Sequence, residues 1–156
     1  MRVSSPAFGD GDQIPSRFAN LGVVGGTNTS LPLRWEGEPT ATRSYVVAII
    51  DRHPVAHGWV HWLVTDLPAS ARSLEEGASG SAMPAGATEM RNSWRKTGYG
   101  GPQPPVGSGA HDYVITVFAL DERHLDVRAT ADWIAVQEAM HGHVLEDATL
   151  IGRLGR

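Results

Sequence analysis

The chain has 156 residues, 41% of them hydrophobic, with 13 basic against 17 acidic side chains and a net charge of −4. That length suits one compact domain, residues 1–156, large enough to build a core without staples. Cysteine is absent, which excludes disulfides, thiolate nucleophiles and Cys-based metal sites, and an acidic chain without a Lys/Arg run is a poor nucleic-acid binder.

In chain order, the N-terminal segment meets Asp10 and Asp12 before any apolar stretch, so no secretory leader and a cytoplasmic location are expected. Ser44–Ile50 (SYVVAII) is β-branched and continuously apolar, the pattern of a strand covered on both faces. Within it Val46–Ile50 is the longest purely apolar run, far short of the ~20 residues of a membrane helix. Trp59–Thr65 (WVHWLVT) and Tyr113–Leu120 (YVITVFAL) read as two further strands. Pro68–Thr88 and Gly98–Gly109 read as long loops that hold much of the chain's 18 Gly and 10 Pro. Thr130–Met140 reads as the one helix. Thr130 caps it, Asp132 suits its positive end and Gly142 stops it, while Trp133, Ile134, Val136, Ala139 and Met140 form its apolar stripe. Ala148–Leu154 reads as a last short strand. The expected class is mostly β: an antiparallel β-sandwich with one C-terminal α-helix and long loops.

Several motifs fail. Gly98-Tyr99-Gly100-Gly101 lacks the third glycine of a dinucleotide loop, and no GK[ST] is present. Ser108 in Val106-Gly107-Ser108-Gly109 misses the first glycine of a nucleophile elbow and reads as a turn. His57 and His61 have zinc-protease spacing, but Gly58 stands where the catalytic Glu belongs and the segment reads as strand. No metal site, no cofactor and no catalytic residue are expected.

What survives is a set of polar residues at strand ends: Asp51 with His53, Trp59 with His61, and His111 with Tyr113. Residues two apart in an extended segment share a face. The connection Arg52–Gly58 is short, so antiparallel neighbours would bring Asp51 and His61 to one end of a sheet, where the third strand begins. A pocket of one carboxylate, imidazoles and a phenol suits an oxyanion, with imidazole N–H and Tyr O–H as donors. If imidazolium donors matter, affinity should rise as pH falls through about 6.5. Each residue also has a plainer reading. Asp51 ahead of Pro54 suits a strand-ending turn, and a histidine at a strand end is more often a satisfied polar group. His57, His124, His141 and His143 are given that reading.

These residues resemble the phosphatidylethanolamine-binding protein family, in particular its small bacterial, Raf-kinase-inhibitor-like branch. Ser5-Pro6-Ala7-Phe8, Gly11–Pro15 and Asn28-Thr29-Ser30 with Leu33-Arg34-Trp35 resemble its opening blocks. Asp51 through Trp59-Val60-His61-Trp62 resembles its first signature, and Lys96–Pro105 with Gly107–Tyr113 its second. Gly142–Leu145 and Ala148–Gly152 resemble its closing segment. The resemblance implies a Greek-key type β-sandwich whose end pocket takes phosphate or phosphorylated head groups. Carried over, the site is Asp51, His61, His111 and Tyr113, with Gln103, Pro104 and Pro105 as loop wall and Trp59 at the mouth. His53 stands where a second carboxylate is usual, Gln103 where the family has Cys, and Asp112 where it has Arg.

The first functional expectation is therefore a binding protein for a small phosphate- or carboxylate-bearing ligand, with a regulatory role. The second is an inhibitor of a kinase or protease acting through its loops, with a homodimer among the assemblies such proteins form. The third is a histidine- or metal-assisted hydrolase.

Overall fold

The computed structural model describes residues 1–156. Eight strands and one helix follow in the order β1 (Arg2–Ser4), β2 (Leu33–Glu36), β3 (Ser44–Asp51), β4 (Val60–Pro68), β5 (Ser73–Leu74), β6 (Thr88–Glu89), β7 (Ala110–Leu120), α1 (Trp133–Met140) and β8 (Val144–Gly155). They form a small sheet, β1-β2-β5, and a large one, β6-β4-β3-β7-β8, with every pairing antiparallel. The run β7-β3-β4-β6 places the last of four strands beside the first, which is a Greek key.

β3 is central in the large sheet, and all its residues are buried, because both faces are covered. Tyr45, Val47 and Ile49 face the main core, where they meet Val3, Leu33, Trp35 and Leu74 of the small sheet. Val46, Ala48 and Ile50 face the other way, into a second cluster completed by Val136 and Met140 of α1. The sandwich and the helix thus share one continuous apolar strand, with the period-2 alternation dividing it between two cores. Val136 and Met140, the two buried side chains of the helix, each contribute about 1.5–3 kcal/mol on full burial, and Trp133 and Ala139 pack beside them.

Several expected boundaries shift. The helix begins at Trp133, and its N-cap is Asp132, whose carboxylate accepts from Ala135 N at 3.0 Å, in place of Thr130. Ile134 of the expected apolar stripe is 64% exposed, because only one edge of the short helix meets the sheet. β8 is longer than Ala148–Leu154 because it pairs with β7 along its whole length, including exposed positions that carry no hydrophobic signal. The stretch Pro68–Thr88 contains the small strand β5 and the start of β6, each too short for a periodic pattern.

Candidate functional site

The site lies where β3 ends and β7 begins. Asp51 and Tyr113 are register partners, so both side chains fall on the inner face of the large sheet, and His111 shares that face two residues earlier. Asp51 Oδ1 accepts from His53 N at 2.8 Å, closing the turn after β3, and the chain then enters a short 3-10 turn at Pro54–Ala56. Asp51 therefore both ends the strand and serves the site.

His61 arrives by a different route. Ile50 pairs with Val60 and Ile49 with Trp62, so His61 is the extra residue of a β-bulge. A bulge re-aims a side chain at the edge of regular pairing. Val60 and Leu63 stay with the helix-side cluster, Trp62 and Val64 with the main core, and His61 turns toward the cleft. The Gly98–Gly109 loop holds it: Gly100 N–H donates to His61 O at 2.8 Å, and His61 Nδ1–H donates to Gly100 O at 2.7 Å. That bond assigns the tautomer and leaves Nε2 without a protein partner. Burial pushes His61 down to about 4, against smaller opposing effects from Gly100 and the Asp51 charge, so the ring is neutral near pH 7 and Nε2 is an acceptor.

His111 is fully buried and held at both nitrogens. Nδ1–H donates to Asp51 Oδ2 at 2.6 Å, and Nε2 lies 2.8 Å from Ser108 Oγ. Ser108 Oγ also has Pro105 O within reach as an acceptor, at 2.6 Å. Both ring nitrogens of His111 are therefore engaged inside the protein, and Asp51–His111 is a buried pair. The His53 ring stacks on His111 with centroids 3.9 Å apart and planes within 8°. Expected donors to an oxyanion, the N–H groups of His61 and His111, are thus spent inside the protein. The donor left over is the Tyr113 hydroxyl, buried and without a partner. Burial, reinforced by the Asp51 charge, holds that hydroxyl well above the usual phenol range, so it keeps its proton.

Asp51, Trp59, His61, Gln103, Pro104, Pro105 and His111 line one cleft of about 730 Å3. His53 and Tyr113 are not among the lining residues but border them: the His53 ring stacks on His111, and the Tyr113 ring packs edge-on to His61 with centroids 5.0 Å apart. Asp112 points away from the site, as alternation predicts, and accepts from Arg153 Nε at 2.9 Å. Gln103 lies against Gly22, where a Cβ would come within 2.6 Å of its amide. The loop wall needs Gly101, because a Cβ there would sit 2.2 Å from Phe18 O. Asn28 Oδ1 accepts from Gly101 N at 2.7 Å and fixes the same stretch.

Three contributors carry no local signal in the sequence. Trp94 sits between Trp59 and His61, with ring centroids at 5.2 and 5.0 Å. Ser108 bridges His111 to the loop. Arg156 donates through Nε to Pro104 O and through Nη1 to Gly22 O at 2.8 Å, tying the C-terminus to the wall. The remaining histidines lie outside the pocket core. His57 caps the 3-10 turn at φ 50° and reaches only the cleft rim, and His141 caps α1. His124 pairs with Asp66 at 2.8 Å. His143 pairs with Asp121 at 3.0 Å, near Glu122, at the opposite end of β7. No helix of the protein is long and apolar enough to cross a membrane.

This fold has counterparts. The chain is 38% identical over 154 residues to the UPF0098 protein YbhB of Escherichia coli, covering 96% of this chain and 97% of that one. It is 37% identical to a UPF0098 protein of Methanothermobacter thermautotrophicus, covering 97% of each. The crystal structure of E. coli YbcL, described as a new member of the mammalian PEBP family, superposes with a TM-score of 0.92 at 29% identity, covering 99% of this chain and 98% of that one. The family model for the phosphatidylethanolamine-binding protein matches residues 4–155, and the chain belongs to that family.

Proposed function

We propose that the cleft binds a small phosphate-bearing ligand through Tyr113, His61 and the surrounding loop wall. The observation that carries this reading is the pair of unspent polar atoms beside Asp51: a buried donor, Tyr113 Oη, and an acceptor, His61 Nε2. A buried polar group without a partner costs about 1–3 kcal/mol, and a ligand that supplies one recovers it. A hydrogen-phosphate monoanion fits both atoms, since its oxygens accept from Tyr113 and its P–O–H donates to His61. A carboxylate meets only the first of these needs. The test is calorimetry with inorganic phosphate and phosphoethanolamine on the wild type, Tyr113→Phe and His61→Ala. Equal affinity in all three proteins overturns the assignment.

The reading is of a binding site, not a catalytic one. Asp51, His111 and Ser108 have the outline of a hydrolase relay, but Pro105 O, 2.6 Å from the Ser108 hydroxyl, competes with His111 for its proton. Absence of turnover of p-nitrophenyl acetate and p-nitrophenyl phosphate is the expected result. A cytoplasmic location belongs to the same reading and is checked by cell fractionation.

A second reading, an inhibitor that docks a kinase or protease on the loops, is favoured by the apolar side chains around the mouth. Val106 is 79% exposed, Val55 53% and Trp59 37%. A purified kinase or protease inhibited by the wild type should escape inhibition by Val106→Asp.

A further inference from the structure

β4 carries a bulge at each end. The first turns His61 into the cleft. In the second, Tyr45 pairs with Leu67 and Val47 with Val64, so Val46 faces both Thr65 and Asp66. Asp66 takes φ 57°, in the left-handed region that a side chain adopts only at a local cost. The bulge delivers its carboxylate, 9% exposed, to the segment that follows β7. There Oδ1 accepts from Leu125 N at 2.9 Å, and Oδ2 accepts from His124 Nδ1–H at 2.8 Å. Both oxygens are engaged, and the His124 ring is oriented with Nε2 left without a protein partner. His124 shares a groove of about 550 Å3 with Arg43, Ser70, Gly86 and Arg123, at the far end of the sandwich from the cleft. Arg43 is fixed beside the same segment by its N–H, which donates to Leu120 O at 2.7 Å. Neither guanidinium makes an ion pair, on a chain whose net charge is −4. Asp121 and Glu122, next to Arg123 in sequence, are grouped instead with His143.

Two guanidinium groups, the Ser70 hydroxyl and an imidazole oriented by a carboxylate are donors for an oxyanion. The arginine fork matches the oxygens of a tetrahedral anion two at a time. The cleft at the other end needs a ligand that brings its own proton for His61 Nε2; this groove suits an anion that has none. We infer that the groove is a second anion site, which takes a fully ionised tetrahedral dianion between Arg43, Arg123 and His124. Its chemistry is shared by free sulfate and by the phosphate end of a small monoester, and the groove has room for either. A dianion beside Nε2 favours the second proton on the ring, and the imidazolium then links Asp66 to the ligand. The inference stands on this groove alone and is independent of the cleft.

Calorimetry in low-salt buffer tests it, with sodium sulfate on the wild type, Arg43→Gln, Arg123→Gln, His124→Gln and Tyr113→Phe. Sulfate carries no proton between pH 6 and 8, so any pH dependence comes from the protein. The wild type should bind one sulfate, more tightly at pH 6 than at pH 8. Histidine is the side chain whose charge changes in this window, and the other charged groups around the groove are the Asp66 carboxylate and the Arg43 and Arg123 guanidiniums. His124→Gln should therefore abolish the difference between the two pH values. Each arginine variant should weaken sulfate about fivefold, and both residues are exposed, so the variants keep the fold. Tyr113→Phe, which alters only the cleft, should bind sulfate as the wild type does. Glycerol 2-phosphate, titrated into Tyr113→Phe, separates the two sources: tighter binding than sulfate assigns the groove to a carried phosphate, weaker binding to the free ion. No saturable sulfate binding, equal affinity in the wild type and both arginine variants, or loss of sulfate binding in Tyr113→Phe each overturn the inference.

Discussion

His61 and Gly100 hold each other by two reciprocal hydrogen bonds, backbone to backbone at 2.8 Å and ring to carbonyl at 2.7 Å. The first pins the loop to a β-bulge. The second sets which ring nitrogen faces the cleft, and so converts a presumed donor into an acceptor.

Stability should therefore fall in mild acid. His61 is lowered by burial to about 4 in the fold, against 6.5 when unfolded. The unfolded chain binds that proton first, so the contribution is complete above pH 6.5 and is lost as pH falls toward 4, a difference of about 3 kcal/mol. Urea unfolding between pH 4 and 7.5 measures it, and His61→Asn should flatten this part of the profile.

Ligand affinity should also depend on pH, for a reason other than a titrating histidine. The phosphomonoester loses its last proton near pH 6, and with it the donor that His61 Nε2 needs. Affinity should fall by up to tenfold per unit above that point. Calorimetry from pH 5 to 8 follows it, and a methylphosphonate probe, whose last proton leaves at higher pH, should move the fall upward.

Removing the Tyr113 hydroxyl should separate stability from binding. Tyr113→Phe deletes a buried group with no partner and should raise stability by about 1 kcal/mol while weakening phosphate binding. Thermal melts with and without phosphate show both effects in one experiment.

Breaking the Asp51–His111 pair should be far more damaging. Both side chains are buried, so Asp51→Ala strips the partner from His111 Nδ1–H and from His53 N–H, each at a cost of about 1–3 kcal/mol. Denaturant titration checks this, and His111→Ala should cost a similar amount.

Gly101→Ala should destabilise by about 1–3 kcal/mol or more, because its methyl group would overlap Phe18 O in rigid backbone. A lowered melting temperature is the readout. Tryptophan fluorescence of Trp94 should shift with it as the wall moves.

The class of fold was legible because it rests on pattern. A strand such as Ser44–Ile50, apolar at every position, needs cover on both sides, and this chain has only a few segments able to provide it. Register and sheet order were not local properties, and neither was the full length of β8, whose exposed residues are strand only because β7 lies beside them. Asp51, His111 and Tyr113 were legible because alternation places them on one face.

Sequence by itself thus determined the strand content, the absence of thiol chemistry and the polar residues gathered at strand ends. The tertiary structure decided what those residues offer. A bulge that no pattern announces turns His61 into the cleft, and Ser108 and Asp51 occupy both nitrogens of His111. Trp94, from a distant turn, comes between Trp59 and His61. The physical reason is that a hydrogen bond commits each polar atom to one partner. Which partner it meets depends on contacts between segments far apart in the chain, and side-chain chemistry alone does not contain that information.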